Sequence, residues 1–251
     1  MKTLVLGDTH GRSNWKLAVH QESPDRVIFI GDYFDSFDIP GVEQIQNFKD
    51  IIKYKETSFS NVGTLNERKT EVVLLFGNHD LHYLPEVGNT GTSGYQARIA
   101  PSIMQVIDEN RKHLQMAYQF NDFVFSHAGI SIEFLDQVFG VGRWQVETMV
   151  DQLNELFKYK PRLFDFNGMD PYGDNTYQTP VWIRPRSLMK ANKNILNRRV
   201  IQIVGHTEMK KLDLKGSEKA AGGRYYFVDT MGTSGEYLVI EDGKLRVGSV
   251  R

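Results

Sequence analysis

The stretch that decides the fold is Gly7-Asp8-Thr9-His10-Gly11, which directly follows a short apolar run at residues 2–6. Two further apolar runs, at residues 26–30 and 71–76, are also followed by a glycine and polar residues, and these read Gly31-Asp32-Tyr33-Phe34-Asp35 and Gly77-Asn78-His79-Asp80. Short runs rich in Val, Ile, Leu and Phe are typical of strands that are buried on both faces of an α/β sheet. Ligand sites of such sheets lie just beyond the carboxyl ends of the strands, so we expect chemistry at these polar residues.

The rest of the chain continues the α/β pattern. Two later apolar runs, at 122–126 and 200–204, end in Ser126-His127-Ala128-Gly129 and Gly205-His206-Thr207. Further strands are predicted at 225–228, 237–240 and 245–250, the last two joined as a hairpin, and helices at 42–55, 99–116 and 144–157. A polar loop at 159–180 is long enough to be a functional cap. No stretch resembles an interdomain linker, so we expect one domain over residues 1–251.

Composition excludes several classes of protein. The 251 residues include 30 Lys and Arg against 31 Asp and Glu, so a generally basic nucleic-acid-binding face is not expected. The chain has no cysteine, which excludes disulfides, thiolate metal sites and cysteine nucleophiles. No run approaches the roughly 20 apolar residues of a membrane span, and the N-terminal apolar run is too short for a signal peptide. We therefore expect no membrane association and a cytoplasmic location.

The polar residues after the five runs form a donor set for metal ions. Carboxylate, imidazole and amide oxygen ligands without sulfur suit divalent Mn, Fe, Zn or Mg. Any one of these motifs is weak, since a lone histidine at a strand end is more often a hydrogen-bonded structural residue. Five in order after predicted buried strands form a strong joint signal, because buried charges must be paired or bound to metal.

The series GDTHG, GDYFD, GNHD, SHAG and GHT resembles the calcineurin-like metallophosphoesterase superfamily. It is most similar to the branch with the serine/threonine phosphoprotein phosphatases, their phage and bacterial relatives, and the symmetrical diadenosine tetraphosphate hydrolases. The resemblance implies a four-layer α/β/β/α sandwich with a dinuclear metal centre at the strand ends. It also implies two divalent metal ions, for which we expect manganese, with Fe, Zn, Co or Ni as alternatives. The ligands that it implies are Asp8, His10 and Asp32 for the first ion, with Asp32 bridging, and Asn78, His127 and His206 for the second.

The same resemblance assigns roles around the metals. His79 resembles the general acid that protonates the leaving alkoxide, and Asp35 resembles the carboxylate that orients it. The segment 179–186 resembles one that presents a phosphate-binding arginine, with Arg184 as the first candidate and Arg186 as the second. Arginine suits this task because its guanidinium binds phosphoryl oxygens through two hydrogen bonds at once.

The sequence also departs from the phosphatase pattern. Phosphoprotein phosphatases continue the second motif with an arginine that binds phosphate, whereas Ser36 follows Asp35 here. Arg12 and Arg98 are candidates to replace it. The wider superfamily often has a second histidine two positions after the one at 206, where this chain has Glu208. That difference argues against the nuclease-like and broad phosphodiesterase branches.

Three functions remain open at this point. The leading one is a metal-dependent phosphatase that hydrolyses phosphate monoesters by attack of a metal-bridging hydroxide, with a phosphoprotein, a small phosphoester or a nucleotide as substrate. The second is a symmetrical dinucleoside polyphosphate hydrolase that uses the same centre. The third is a non-catalytic scaffold that binds a partner through the 159–180 cap, which the complete ligand set disfavours.

Overall fold

The computed structural model describes residues 1–60, 70–88, 94–168, 170, 172, 174–191, 199–215 and 225–250, with residues 59 and 60 described by their backbone alone. Within these residues the strands form two sheets. The first sheet has the order β10-β9-β1-β2-β3-β4, and its strands are β1 (Lys2–Leu6), β2 (Arg26–Phe29), β3 (Glu71–Leu75), β4 (Leu114–Gln115), β9 (Glu236–Glu241) and β10 (Lys244–Ser249). The second has the order β5-β6-β7-β8, with strands β5 (Ala117–Phe120), β6 (Phe123–Ser126), β7 (Ile201–Val204) and β8 (Tyr225–Phe227).

Helices connect the strands and cover the sheets. They are α1 (Trp15–Glu22), α2 (Gly41–Ser60), α3 (Asn78–Leu81), α4 (Ala100–Asn110), α5 (Ile132–Phe139), α6 (Met149–Tyr159) and α7 (Pro185–Ala191). Short 3-10 turns lie at Arg111–His113 and Pro161–Phe164. Among the described helices, none combines the length and the apolar character that a membrane-spanning segment requires.

Alternation along the strands explains the layers. In β1, Leu4 and Leu6 pack in a cluster with Trp15 and Phe48 of the helices over the first sheet, whereas Val5 belongs to the cluster between the sheets. Successive side chains of a strand point to opposite faces, so a strand that is apolar at every position is buried on both sides. On the far side of the second sheet, α6 packs against β5, and Leu188 of α7 packs in a cluster with Val204 and Tyr225.

The expected α/β class with two sheets flanked by helices is confirmed. The predicted strands and the hairpin between residues 241 and 244 are present, with ends that differ by one or two residues. The predicted helix at 99–116 is wrong beyond Asn110, because Leu114 and Gln115 pair with β3 as β4. The structure also contains α1, α5, α7 and β5, which the sequence analysis did not predict.

Candidate metal centre

Parallel strands bring the six predicted ligands to one edge of the two sheets. The strands β1, β2 and β3 run parallel to one another in the first sheet, and β6 and β7 run parallel in the second. The loops directly after these five strands carry Asp8, His10, Asp32, Asn78, His127 and His206. Four of these side chains are at most 2% exposed, namely those of Asp8, Asp32, Asn78 and His127. The site is therefore built into the end of the core.

Two glycines make room for the buried carboxylates. A Cβ atom on Gly77 would lie 2.0 Å from Oδ1 of Asp32, and one on Gly205 would lie 2.1 Å from Oδ1 of Asp8. Any side chain at either position would displace the carboxylate, because real Cβ contacts are never this short. The packing of the two carboxylates therefore requires glycine at positions 77 and 205.

Asn78 lies at the centre of one half of the site. Its Oδ1 is 2.9 Å from Nε2 of His127 and 2.9 Å from Nδ1 of His206. The same Nε2 of His127 lies 3.3 Å from Oδ2 of Asp32. The four residues that the sequence assigned to the second metal ion, counting Asp32 as shared, are thus grouped together.

The other half is built around Asp8, His10 and Asp32. Each offers one ligand atom, and these atoms all lie within 4.8 Å of one another. Nε2 of His10 is 3.8 Å from Oδ2 of Asp32. The backbone N–H of His206 donates to both carboxylate oxygens of Asp8, at 3.2 and 3.0 Å, so residues from both sheets meet here. Asp32 is common to both halves.

The donor atoms suit divalent cations. Nδ1 of His127 lies 3.0 Å from the carbonyl oxygen of Ile30, and Nδ1 of His10 lies 2.6 Å from that of Phe34. A carbonyl oxygen only accepts, so each Nδ1 carries a proton and Nε2 is the nitrogen that faces the site. Around Nε2 of His127 lie the amide oxygen of Asn78 and the carboxylate of Asp32. Imidazole nitrogens and oxygen atoms that converge in this way are ligands that suit a divalent metal ion.

The charges support the same interpretation. Burial, together with the neighbouring carboxylates of Asp229 and Asp32, raises the pKa of Asp8 well above its ordinary value. Burial also raises the pKa of Asp32, but the imidazoles of His127 and His79 outweigh it and leave that pKa well below its ordinary value. Buried carboxylates that crowd together are costly unless a cation compensates them, which a divalent ion would do.

Next to this cluster, Asp35 holds His79 through a dense hydrogen-bond network. Nδ1 of His79 donates to Oδ2 of Asp35 at 2.9 Å, and Nε2 of His82 lies 2.7 Å from the same oxygen. The other oxygen of Asp35 accepts from the hydroxyl of Tyr83 at 2.5 Å and from Nε2 of Gln96 at 3.2 Å. The carboxylate is therefore fixed from four directions, and it orients the ring of His79.

Burial alone would lower the pKa of His79. The carboxylates of Asp32 and Asp35 outweigh that effect and raise the pKa of His79 to about 9. The ring lines the cavity and lies 5.3 Å, centroid to centroid, from the ring of His10. His79 thus donates a hydrogen bond to Asp35 and lines the cavity beside the predicted metal ligands.

Asp80, to which the sequence analysis assigned no role, fastens two motif loops together. Its side chain is buried, and its oxygens accept from the backbone N–H groups of Asp32 and Tyr33 at 2.8 Å and of Gly77 at 2.9 Å. These bonds cap the start of α3 and hold it against the loop after β2. Asp80 therefore fixes the loops that carry the ligands.

Five of the six predicted ligands line a cavity of about 430 Å³, and the sixth, His127, is fully buried behind them. Arg184 and Arg12 both line it, whereas Arg186 is exposed on α7 and Arg98 is exposed before α4, both outside the lining. Nη1 of Arg184 donates to Oγ1 of Thr207 at 3.3 Å. Of the two arginines suggested in place of the missing one, the structure brings Arg12 to the site.

The sequence analysis did not single out Asp229, which also lines the cavity. It lies just after β8, and burial together with the charge of Asp32 raises its pKa to about 7. Asp229 follows a buried apolar run, which is the pattern that predicted Asp8 and Asp32, but no glycine directly precedes Asp229. Tyr83 and Gln96 lie too far from Asp35 along the chain for any local pattern to link them.

The arrangement brings predicted cation ligands and a hydrogen-bonded imidazole to one cavity. The family model for calcineurin-like phosphoesterases matches residues 1–227, so the chain belongs to that family and is a hydrolase that acts on phosphoesters. No curated protein matches the sequence.

Solved structures share the fold. A cold-active protein-tyrosine phosphatase from a psychrophilic Shewanella species aligns with a TM-score of 0.67 at 18% identity, over 99% of this chain and 78% of that one. Another structure of a cold-active protein tyrosine phosphatase gives 0.66 at 20% identity, over 99% and 76%. A metallophosphoesterase from Sphaerobacter thermophilus gives 0.42 at 14% identity, over 100% and 88%, a similarity too low to support an argument.

Proposed function

We propose that this protein is a metal-dependent phosphatase that hydrolyses phosphate monoesters. The observation that carries the proposal is that His79, held by Asp35, lines the same cavity as five of the six predicted cation ligands and two arginines. Phosphoryl transfer needs these three parts together, namely charge neutralisation, a proton for the leaving oxygen and donors for the phosphoryl oxygens.

Six side chains would hold the metal ions. In the proposal, Asp8, His10 and Asp32 bind one ion, and Asp32, Asn78, His127 and His206 bind the other. Two divalent ions supply a water of lowered pKa as nucleophile and neutralise charge on the phosphoryl group. We take manganese as the first choice, and Fe, Zn, Co and Ni suit the same ligands.

His79 would supply the proton that the leaving group needs. Its Nδ1 is fixed on Asp35, so Nε2 is the nitrogen that is left to face substrate. An alkoxide is a poor leaving group, and a proton delivered as the P–O bond breaks removes that barrier. Asp35 keeps the imidazole protonated and correctly turned.

Arg184 and Arg12 would bind the phosphoryl oxygens. Arg184 is anchored to Thr207 in the loop after β7, and Arg12 lies in the loop after β1, where its Nη2 contacts Oδ2 of Asp38 at 3.2 Å. The guanidinium of Arg12 lies 3.3 Å from where a Cβ of Gly232 would be, so this glycine leaves space for it. Six carboxylates line the same cavity, so the two guanidinium groups would attract a phosphate dianion together with the bound cations and not alone.

The aromatic lining favours a monoester over a dinucleoside polyphosphate. Trp182 packs against His206 and Phe166, with ring centroids 5.6 and 5.1 Å away, so its ring is already engaged. In the described lining, this leaves Phe37 as the exposed aromatic ring. One free ring suits a single group attached to the phosphate, whereas a symmetrical dinucleotide presents two bases. The similar fold of a protein-tyrosine phosphatase is compatible with a monoester substrate.

The test compares two substrates in the presence of Mn²⁺. We expect the wild type to hydrolyse p-nitrophenyl phosphate more efficiently than diadenosine tetraphosphate. Asp32→Asn should lose at least 100-fold in kcat, because the shared ligand is lost. The control Asp122→Asn changes an exposed aspartate in the turn between β5 and β6 and should behave as wild type. Unchanged activity in Asp32→Asn would refute the metal mechanism, and preferred cleavage of the dinucleotide would refute the monoester assignment.

A further inference from the structure

An exposed phenylalanine lies at the mouth of the cavity. Phe37 is 83% exposed, lines the cavity and follows Asp35 by two residues. A single exposed apolar side chain is ordinary on a protein surface. Here the side chain lines the same cavity as the proposed proton donor His79, and hydrogen bonds hold the backbone that carries it.

Hydrogen bonds hold the turn around Phe37 from within. Oγ of Ser36 accepts from the backbone N–H groups of Asp38 at 3.2 Å and Ile39 at 3.1 Å. The buried side chain of Gln44 accepts from the N–H of Ser36 at 3.3 Å and donates to the carbonyl of Ile39 at 2.6 Å. On the other side, Asp38 is paired with Arg12. The turn is thus fixed at residues on both sides of Phe37, so contact with a ligand costs little ordering.

The same network connects this turn to the proposed proton donor. Nε2 of Gln96 donates to Oε1 of Gln44 at 2.9 Å and to Oδ1 of Asp35 at 3.2 Å. Asp35 in turn holds His79. Phe37 is therefore tied to the residues that hold the proposed proton donor, on the side where the leaving group would depart, whereas Arg184 directly precedes α7 and contacts the loop after β7.

Accordingly, we propose that Phe37 determines specificity by packing against the leaving group, and that the substrates are aryl phosphates, of which a phosphotyrosine side chain is the form found in proteins. This inference rests on the proposed function. An aryl ring next to the phosphoryl oxygen can pack edge-on or offset against a phenyl ring. The leaving group of phosphoserine has no ring and offers Phe37 almost no surface.

The experiment measures kcat/KM for phosphotyrosine and phosphoserine in wild type and in Phe37→Ala. Aryl esters are intrinsically more reactive, so the readout is the change of the ratio between the two substrates. We expect Phe37→Ala to lower kcat/KM for phosphotyrosine roughly 5- to 10-fold and to change that for phosphoserine less than 2-fold, as the loss of one aromatic contact predicts. Phe37→Trp should retain the preference. Inhibition by phenylphosphonate should weaken in Phe37→Ala by a similar factor, with inhibition by methylphosphonate unchanged.

Tyr159→Ala is the matched control, since Tyr159 is 76% exposed and lies outside the cavity lining. Both variants should melt at the wild-type temperature. If Phe37→Ala lowers both substrates equally, or neither, the aryl inference is overturned while the phosphatase function stands. If the wild type turns over neither monoester, the proposed function fails and this inference fails with it.

Discussion

At the scale of single residues, the pair His79 and Asp35 leads to the most specific prediction about the mechanism. Nitrophenolate leaves without a proton, whereas the serine alkoxide requires one. We expect Asp35→Asn to lower kcat for phosphoserine about 10²- to 10³-fold and kcat for p-nitrophenyl phosphate less than tenfold, since general acid catalysis contributes about 10²–10⁴. Steady-state rates on the two substrates test this. Asp108→Asn, at an exposed position of α4, is the control. An equal loss on both substrates would mean that Asp35 acts on the metal centre instead.

Alanine substitutions at four arginines can distinguish phosphate binding in the cavity from an effect of general surface charge. Arg12 and Arg184 line the cavity, and Arg98 and Arg186 do not. Because a charge-assisted hydrogen bond is worth about 1.5–3 kcal/mol, we expect Arg12→Ala and Arg184→Ala each to reduce kcat/KM roughly 10- to 100-fold. Arg98→Ala and Arg186→Ala should stay within twofold of wild type. Inhibition by inorganic phosphate should weaken in the first two variants alone, and a loss in Arg186→Ala would contradict this assignment.

The sequence predicted the residues that belong to local motifs, and it did not predict contacts between residues that are far apart along the chain. Asp8, Asp32 and Asn78 each follow a buried strand and a glycine, which is a local pattern, and parallel strands bring such positions together without further information. The partners of Asp35 are another matter. Tyr83 and Gln96 are 48 and 61 positions away, so their hydrogen bonds to Asp35 depend on the tertiary fold and not on a local pattern. Arg12 and Arg98 were equal candidates in sequence for the same reason.

Among the elements, the end of α4 shows where local patterns fail. Leu114 and Met116 continue the apolar spacing of the helix, and both are buried. Their burial comes from β3 and α6, because the N–H of Phe76 donates to the carbonyl of Gln115 at 3.0 Å and the N–H of Met116 donates to Asn154 at 2.9 Å. A two-residue strand gains its stability from these partners, which periodicity does not reveal.

The packing of α1 on the edge of the first sheet leads to a prediction about stability. Glu22, at the end of α1, accepts from Nη1 of Arg246 at 3.0 Å and from the hydroxyl of Tyr237 at 3.1 Å. The hydrogen bond from Arg246 lowers the pKa of Glu22, although burial opposes it. The pair joins α1 to β9 and β10, so its loss should loosen that side of the sheet.

We expect Glu22→Gln to lower the free energy of unfolding by about 1–2 kcal/mol at pH 7, a value reduced because Arg246 is half exposed. The folded-state pKa lies below the ordinary value of 4.5, so this contribution is complete above pH 4.5 and disappears as pH falls through the lower pKa. Urea unfolding at pH 7 and near pH 3.5 measures the difference. A gap between the two proteins that stays constant with pH would show that packing, not charge, is responsible. Glu155→Gln, at an exposed pair, is the control.

For the whole molecule, the candidate metal centre is the place where residues that follow strands of both sheets come into contact. Asp8 comes from the first sheet and His206 from the second, and they are in direct contact. The raised pKa of Asp8 means that its charge is disfavoured in the folded protein when carboxylates are its nearest charged neighbours. The charge of the proposed ligand Asp8 therefore weakens the fold at the junction of the two sheets, and bound cations should reverse this cost.

Removing metal should accordingly lower the melting temperature, and Mn²⁺ should restore it. At 100 times its Kd a ligand adds about 2.7 kcal/mol, which for a chain of this size corresponds to roughly 5–10 °C. Asp8→Asn should lose part of this shift, because the site of one ion loses a ligand, yet melt no lower than the metal-free wild type, because a repelling charge is gone as well. Asp151→Asn, at an exposed position of α6, should keep the full shift. Calorimetry with and without EDTA tests whether Asp8 is a metal ligand. If Asp8→Asn responds to Mn²⁺ as the wild type does, or melts well below the metal-free wild type, then Asp8 stabilises the fold and does not bind a cation.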